Sequence, residues 1–151
     1  MTLEEEIHQQ RFKSEWHKLA VNILYTHGWL VSRLSAVLKP HGVTIAQFNI
    51  LRILRGQHPN PATISLLQER MLDKMSDTSR LVERLRIKGL VERSADRHDR
   101  RRVAVRITAA GLQLLQTIGD FEEVIGPVSR QVGEDQAAMI NASLDAMRVP
   151  V

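Results

Sequence analysis

The sequence contains no cysteine, which rules out disulfides, thiolate metal sites and thiol-based redox sensing. Aromatic residues make up only 4% of it. No run approaches the roughly 18 apolar residues of a membrane-spanning helix. The N-terminus, MTLEEEIHQQRF, is acidic and polar, unlike a signal peptide. The expected location is the cytoplasm, with no membrane partner. Glycine-rich phosphate loops are absent. The six histidines (His8, His17, His27, His41, His58 and His98) show neither HxxxH nor HExxH spacing. Scattered residues give no Ser-His-Asp arrangement. We expect no catalytic residue, no metal site and no cofactor.

At 151 residues the chain is one domain's worth, long enough for a real core. Its net charge of +4 is unevenly placed. Residues 73–107 carry 11 Lys and Arg against 6 Asp and Glu, a net of +5, whereas residues 108–151 carry 2 against 6, a net of −4. A basic segment beside an acidic one is a one-sided electrostatic footprint.

Within that basic segment, residues 73–88 predict an amphipathic helix. Met75, Thr78, Leu81, Val82 and Leu85 form one apolar stripe. Ser76, Asp77, Ser79, Arg80, Glu83, Arg84 and Lys88 lie on the other side. Asp73 or Ser76 can serve as N-cap, and Gly89 ends the helix where a left-handed residue is usually required. Short polar side chains in front, with basic ones behind, suit a helix whose first turns meet base edges and whose later positions meet phosphate. An ordinary amphipathic surface helix has the same pattern.

An extended run follows from Leu90 to Arg93. Val103, Val105 and Ile107 then alternate with Ala104 and Arg106, the period of a half-buried strand. Between them SADRHDRRR, residues 94–102, makes a hairpin tip with Arg97, Arg100, Arg101 and Arg102 beside Asp96 and Asp99. An arginine at such a tip can enter a narrow minor groove, and an aspartate two residues away can hold its guanidinium in a bidentate pair. A solvated edge hairpin accounts less well for so many arginines at one tip.

These residues resemble the winged helix-turn-helix core of the MarR family of bacterial transcriptional regulators. The resemblance is carried by Arg80, Leu85, the Lys88-Gly89-Leu90-Val91 turn, the Asp99-x-Arg101 pair, and Ile107-Thr108 followed by Gly111. Arg102 extends the arginine run beyond the family pattern and leaves open which arginine leads into the groove. The resemblance implies a mainly α fold with a small β-wing in one 1–151 domain, with a winged unit at 44–107 and dimerisation helices at 12–38 and 109–148. It also implies a homodimer on double-stranded DNA in the bacterial cytosol, with Ser76, Asp77, Ser79 and Arg80 at base edges. Arg84 and Lys88 would lie near the backbone, and the Arg97–Arg102 tip, steadied by Asp99, in the minor groove. Such regulators typically repress transcription and release DNA when a small phenolic or anionic compound binds between the dimerisation helices and the winged unit. Here Trp16, His17, Tyr25, His27 and Trp29 are the ligand candidates, with core and interface packing as the plainer reading.

The flanking pattern agrees. A helix is expected from Phe12 to Leu38, with Gly28 a possible bend and an apolar face wide enough for part of it to meet a second chain. Thr44 would cap Ile45–Leu54, with Gly56 and residues 58–61 as loop. Thr63 would cap a further helix with Ile64, Leu67 and Met71 inward. Gln47, Arg52 and Arg70 either touch phosphate or are simply solvated. Thr108 would cap a long helix from Ala109 to about Ile125, with Gly126-Pro127 a break and a last helix after Gly133. Two other functions remain on this sequence: a nonspecific architectural DNA binder, and a winged-helix protein-interaction module.

Overall fold

The structure, a computed structural model, describes residues 1–150; the last residue of the expected 1–151 domain lies outside it. A short helix α1 (Leu3–Glu6) precedes the long α2 (Glu15–Leu38) and a 3₁₀ turn at Lys39–His41. Then come α3 (Ile45–Gln57), β1 (Ala62–Thr63), α4 (Ile64–Arg70), α5 (Thr78–Ile87), β2 (Val91–Ala95) and β3 (Val103–Ile107). The chain ends in α6 (Ala109–Ile118), α7 (Phe121–Val124), α8 (Gly126–Gln131) and α9 (Glu134–Met147). The fold is mainly α with a small β-wing.

Threonines begin three of these helices for one reason. Each hydroxyl accepts from an otherwise unpaired amide of the first turn. Thr44 accepts from Gln47 N, and Gln47 Oε1 accepts in return from Thr44 N at 3.0 Å, a capping box. Thr63 accepts from Leu66 N at 3.2 Å, and Thr108 from Gly111 N at 3.1 Å. The core lies between α3 and the elements around it, where Leu51, Leu54, Leu67, Val82, Leu85 and Val105 have no exposed surface.

Several expectations are corrected. α5 begins at Thr78 rather than near Asp73, because Asp77 supplies the cap, its carboxylate accepting from Arg80 N at 3.2 Å. Asp73 instead accepts from Met75 N within the preceding turn. Met75 therefore leaves the apolar stripe and is 92% exposed. α2 starts at Glu15 on a Ser14 cap and runs unbroken through Gly28. Gly56 lies inside α3 rather than in the loop. The expected 109–125 helix stops at Ile118, since Gly119 takes a positive φ of 94°; Pro127 then opens α8, where a missing amide costs nothing. The sheet has three strands in the order β1-β3-β2, antiparallel throughout. The two-residue β1 was missed because so short a strand has no legible period.

Gly111 is required by close packing. A Cβ there would lie 2.4 Å from the Leu90 carbonyl oxygen and 2.6 Å from Ile107 Cγ1. Gly111→Ala should therefore destabilise by about 2 kcal/mol through overpacking, although alanine is the better helix former by roughly 1 kcal/mol. Denaturant unfolding checks this; a raised midpoint would mean that α6 shifts freely away from the wing.

Candidate nucleic-acid interface

The helix-turn-helix unit is α4, the turn 71–77 and α5. Its turn is held from three sides. Asn49 Oδ1 on α3 accepts from Leu72 N at 2.9 Å. Gln68 on α4 donates to the Lys74 carbonyl at 3.1 Å and accepts from the Thr78 hydroxyl. Met71 is buried beneath. Gln68 thus joins one helix to the first residue of the next, a role that no sequence period announces. Gln68 and Thr78 also border a shallow, open hollow of about 320 Å³ with Ser65, Ser76, Asp77 and Ser79 on its walls.

α5 buries Thr78, Val82 and Leu85 and leaves Asp77, Ser79, Arg80 and Arg84 exposed, with Ser76 half-buried in the turn. Thr78 faces inward, as its place in the expected apolar stripe implied. Arg80 lies 3.7 Å from the capping Asp77 carboxylate. At the opposite end, the Lys88 ammonium donates to the Gly42 carbonyl and is 3.5 Å from Gln47 Oε1. Lys88 is therefore engaged internally and not gathered with the polar helix front. Gly89 has the left-handed conformation expected of it, φ 74°.

The wing tip forms the arginine–aspartate pair anticipated from spacing. Asp99 Oδ1 accepts from Arg101 N at 3.0 Å and Arg101 Nε at 3.2 Å, and Oδ2 accepts from Arg101 Nη2 at 3.3 Å. Arg102 Nε lies 3.8 Å from the same carboxylate. These bonds, the Arg101 side chain's first, hold the Asp99 carboxyl below its usual range. The Arg101 side chain nonetheless stays 91% exposed. It is oriented and yet free at its outer face. Arg97 and Arg100 are exposed at the same tip.

A second carboxylate joins helix and wing. Glu83 on α5 accepts from Arg86 Nε at 3.0 Å and Nη2 at 2.7 Å, and from Arg93 Nη1 on β2 at 2.8 Å. Arg86 first and then Arg93 pull its pKa down to about 2. The Glu83–Arg86 spacing was a legible helix pair; the partner on β2 required the fold.

The remaining basic and polar candidates separate. Gln47 is buried in its capping box and Arg70 is exposed. The Arg52 guanidinium lies 4.6 Å from the Phe121 ring centroid and 5.7 Å from that of Phe48. Burial lowers its pKa, and its Nε has no hydrogen-bond partner among the described residues. A phosphate contact fits neither Gln47 nor Arg52.

The five ligand candidates do not converge. Tyr25 and Trp29 border an open hollow of about 420 Å³ with Leu24, Gly28, Ser32 and Arg33; the Arg33 guanidinium lies 5.3 Å from the Trp29 ring centroid. Tyr25 donates to Glu6 at 2.8 Å, which together with burial raises its pKa. His17 accepts from Lys13 N at 3.2 Å and packs edge-on against Phe12. Trp16 and His27 are exposed outside the hollow. Arg33 was not among the expected residues, since a lone surface arginine on a helix has no distinguishing pattern.

Comparison with known proteins agrees with this geometry. Residues 41–102 match the model of the MarR family. No curated protein matches the chain by sequence. A mutant of MarR from E. coli, solved in complex with operator DNA, is 22% identical with a TM-score of 0.77, covering 93% of this chain and all of that one. The MarR transcription factor of Planctomyces limnophilus is 27% identical with a TM-score of 0.65, at the same coverage. BpsR of Bordetella bronchiseptica, whose DNA binding is regulated by 6-hydroxynicotinic acid, is 21% identical with a TM-score of 0.71, covering 87% of this chain and 99% of that one. Family match, wing and helix-turn-helix agree: residues 41–102 match the MarR family, and the chain has the winged helix-turn-helix fold of the MarR-family transcription regulators it is similar to.

Proposed function

We propose that the chain acts as a homodimeric, ligand-responsive repressor on a pseudo-palindromic operator. The observation that carries this reading is the outward-facing Arg101, oriented by Asp99, on the same unit as a helix front of Asp77, Ser79 and Arg80. Two such units would enter successive major grooves, with Ser76, Asp77, Ser79 and Arg80 toward base edges, Arg84 nearer phosphate, and the Arg97–Arg102 tip in the flanking minor groove.

The dimer is supported by what the single chain leaves uncovered. Trp16 and Leu24 on α2 are 82% and 72% exposed, and α9 has no buried residue among those described. A helix with apolar residues and nothing to bury them against calls for a partner surface, and 12–38 with 109–148 is our proposed dimerisation layer. For the effector, the Tyr25–Trp29 hollow with Arg33 suits a phenolic or anionic compound, the class to which 6-hydroxynicotinic acid, the BpsR regulator, belongs.

Selection of bound sequences from a random duplex pool at near-physiological salt tests the reading. An enriched pseudo-palindrome with half-sites about one turn apart supports it; binding without enrichment favours an architectural protein, and no binding favours a protein-interaction module. On the selected site, Arg101→Ala should weaken binding and lower the salt slope by about 0.9 per phosphate lost; unchanged affinity and slope would remove the wing. Arg80→Ala should change base preference, by about 1–3 kcal/mol at the position it reads; a uniform loss on every sequence would recast it as a phosphate contact. Leu24→Glu should shift sedimentation from dimer to monomer and abolish tight operator binding. A wild-type chain that sediments as a monomer would exclude the dimer.

A further inference from the structure

We propose that Glu83 sets sequence specificity by withholding two arginines from DNA phosphate. The inference rests on the DNA-regulator reading above and concerns residues outside the expected contact set. Glu83 is the only carboxylate among the described residues paired with arginines of both α5 and β2. The Arg86 Nη2 and Arg93 Nη1 bonds, at 2.7 and 2.8 Å, are of charge-assisted length, and Arg86 approaches with its guanidinium edge. A carboxylate held by two guanidiniums stays ionised at any working pH, and its pKa of about 2 agrees.

The three side chains are nevertheless between 38% and 48% exposed. Arg86 and Arg93 are therefore within reach of solvent, and of a polyanion, as soon as their partner is lost. Phosphate contacts give affinity without sequence information. Each one added raises binding to every duplex and steepens the salt dependence by about 0.9 in log–log slope. With Glu83 in place, two of the basic residues in the helix–wing unit have an internal anion in lieu of a phosphate. Base-reading residues then contribute a larger share of the affinity that remains. A clamp that merely held the wing in position would need only Arg93, the arginine across from Glu83; here Arg86 is also bidentate on a residue of its own helix, which adds no link between elements but does neutralise a charge.

The test uses the full chain, the operator obtained by selection, and a random-sequence duplex as competitor. Glu83→Gln keeps size and one acceptor oxygen while removing the charge. Expected is binding to the random duplex that is several-fold tighter at 50 mM salt, a slope steeper by up to about 1.8, and a roughly tenfold larger loss between 50 and 200 mM than in the wild type. Operator affinity should change less, so discrimination falls. Adding Arg93→Gln should return about half of the extra slope. Arg86→Gln with Arg93→Gln, in the presence of Glu83, should give no extra slope. Glu92→Gln, which removes a carboxylate 4.0 Å from Arg106 on the same ribbon, controls for net charge.

Equal gains in Glu83→Gln and Glu92→Gln would overturn the proposal in favour of a general charge effect. A uniform loss of affinity with an unchanged or shallower slope would reduce Glu83 to a structural brace. A wild-type chain with no preference for any sequence would overturn the regulator reading itself, and this inference with it. A wild type that discriminates, alongside a Glu83→Gln variant that discriminates equally, would overturn this inference alone.

Discussion

The junction that the DNA-facing unit depends on is made by Thr108. Its hydroxyl accepts from Gly111 N at 3.1 Å and donates to the Gly89 carbonyl at 2.7 Å, while its own amide donates to the Leu90 carbonyl at 3.1 Å. One small residue, through its hydroxyl and its amide, thus ties the end of α5, the root of β2 and the start of α6. Gly111 lets these three approach, since any side chain there would meet the Leu90 carbonyl. The wing can be aimed relative to the helix only because its base is anchored this tightly. The Asp99–Arg101 pair at its tip would otherwise orient a guanidinium on a moving support.

From this anchor outward, order is built with polar contacts rather than bulk. The turn between α4 and α5 uses Asn49 and Gln68 on backbone groups, and the helix–wing face uses Glu83. Such contacts stabilise modestly where solvent reaches them, but they are directional. They suit a surface that must meet a partner in one geometry. The apolar core behind them, with Leu54, Leu67 and Val105 fully buried, supplies the stability that these bonds do not.

Much of this was legible in the chain itself. Threonine caps at Thr44, Thr63 and Thr108, the left-handed Gly89, and the Asp99-x-Arg101 pair are local signals, set by chemistry within four residues. What could not be read depended on distant partners or on competing signals. Asp73, Ser76 and Asp77 are all acceptable caps, and only the approach of Gln68 to Thr78 and Lys74 decides among them. Met75 matched the helical period, yet the helix begins after it. Lys88 read as one of a basic set, but its ammonium is engaged by Gly42, 46 residues earlier. Glu83 paired locally with Arg86, while its second arginine comes from across the helix–strand boundary. Periodicity finds faces; it does not find which polar groups on a face are already engaged.

The placement of Arg52 has a mechanical consequence. Its guanidinium meets Phe48 of the winged unit and Phe121 at the head of α7, just past the break at Gly119. Attraction between a cation and a ring, of about 1 kcal/mol at such a site, is lost once the ring slides from beneath the charge. The contact therefore works as a detent. It resists small slippage of the C-terminal helices over α3 and yields abruptly beyond a few ångströms, so those helices are seated on α3 in notched rather than continuous fashion.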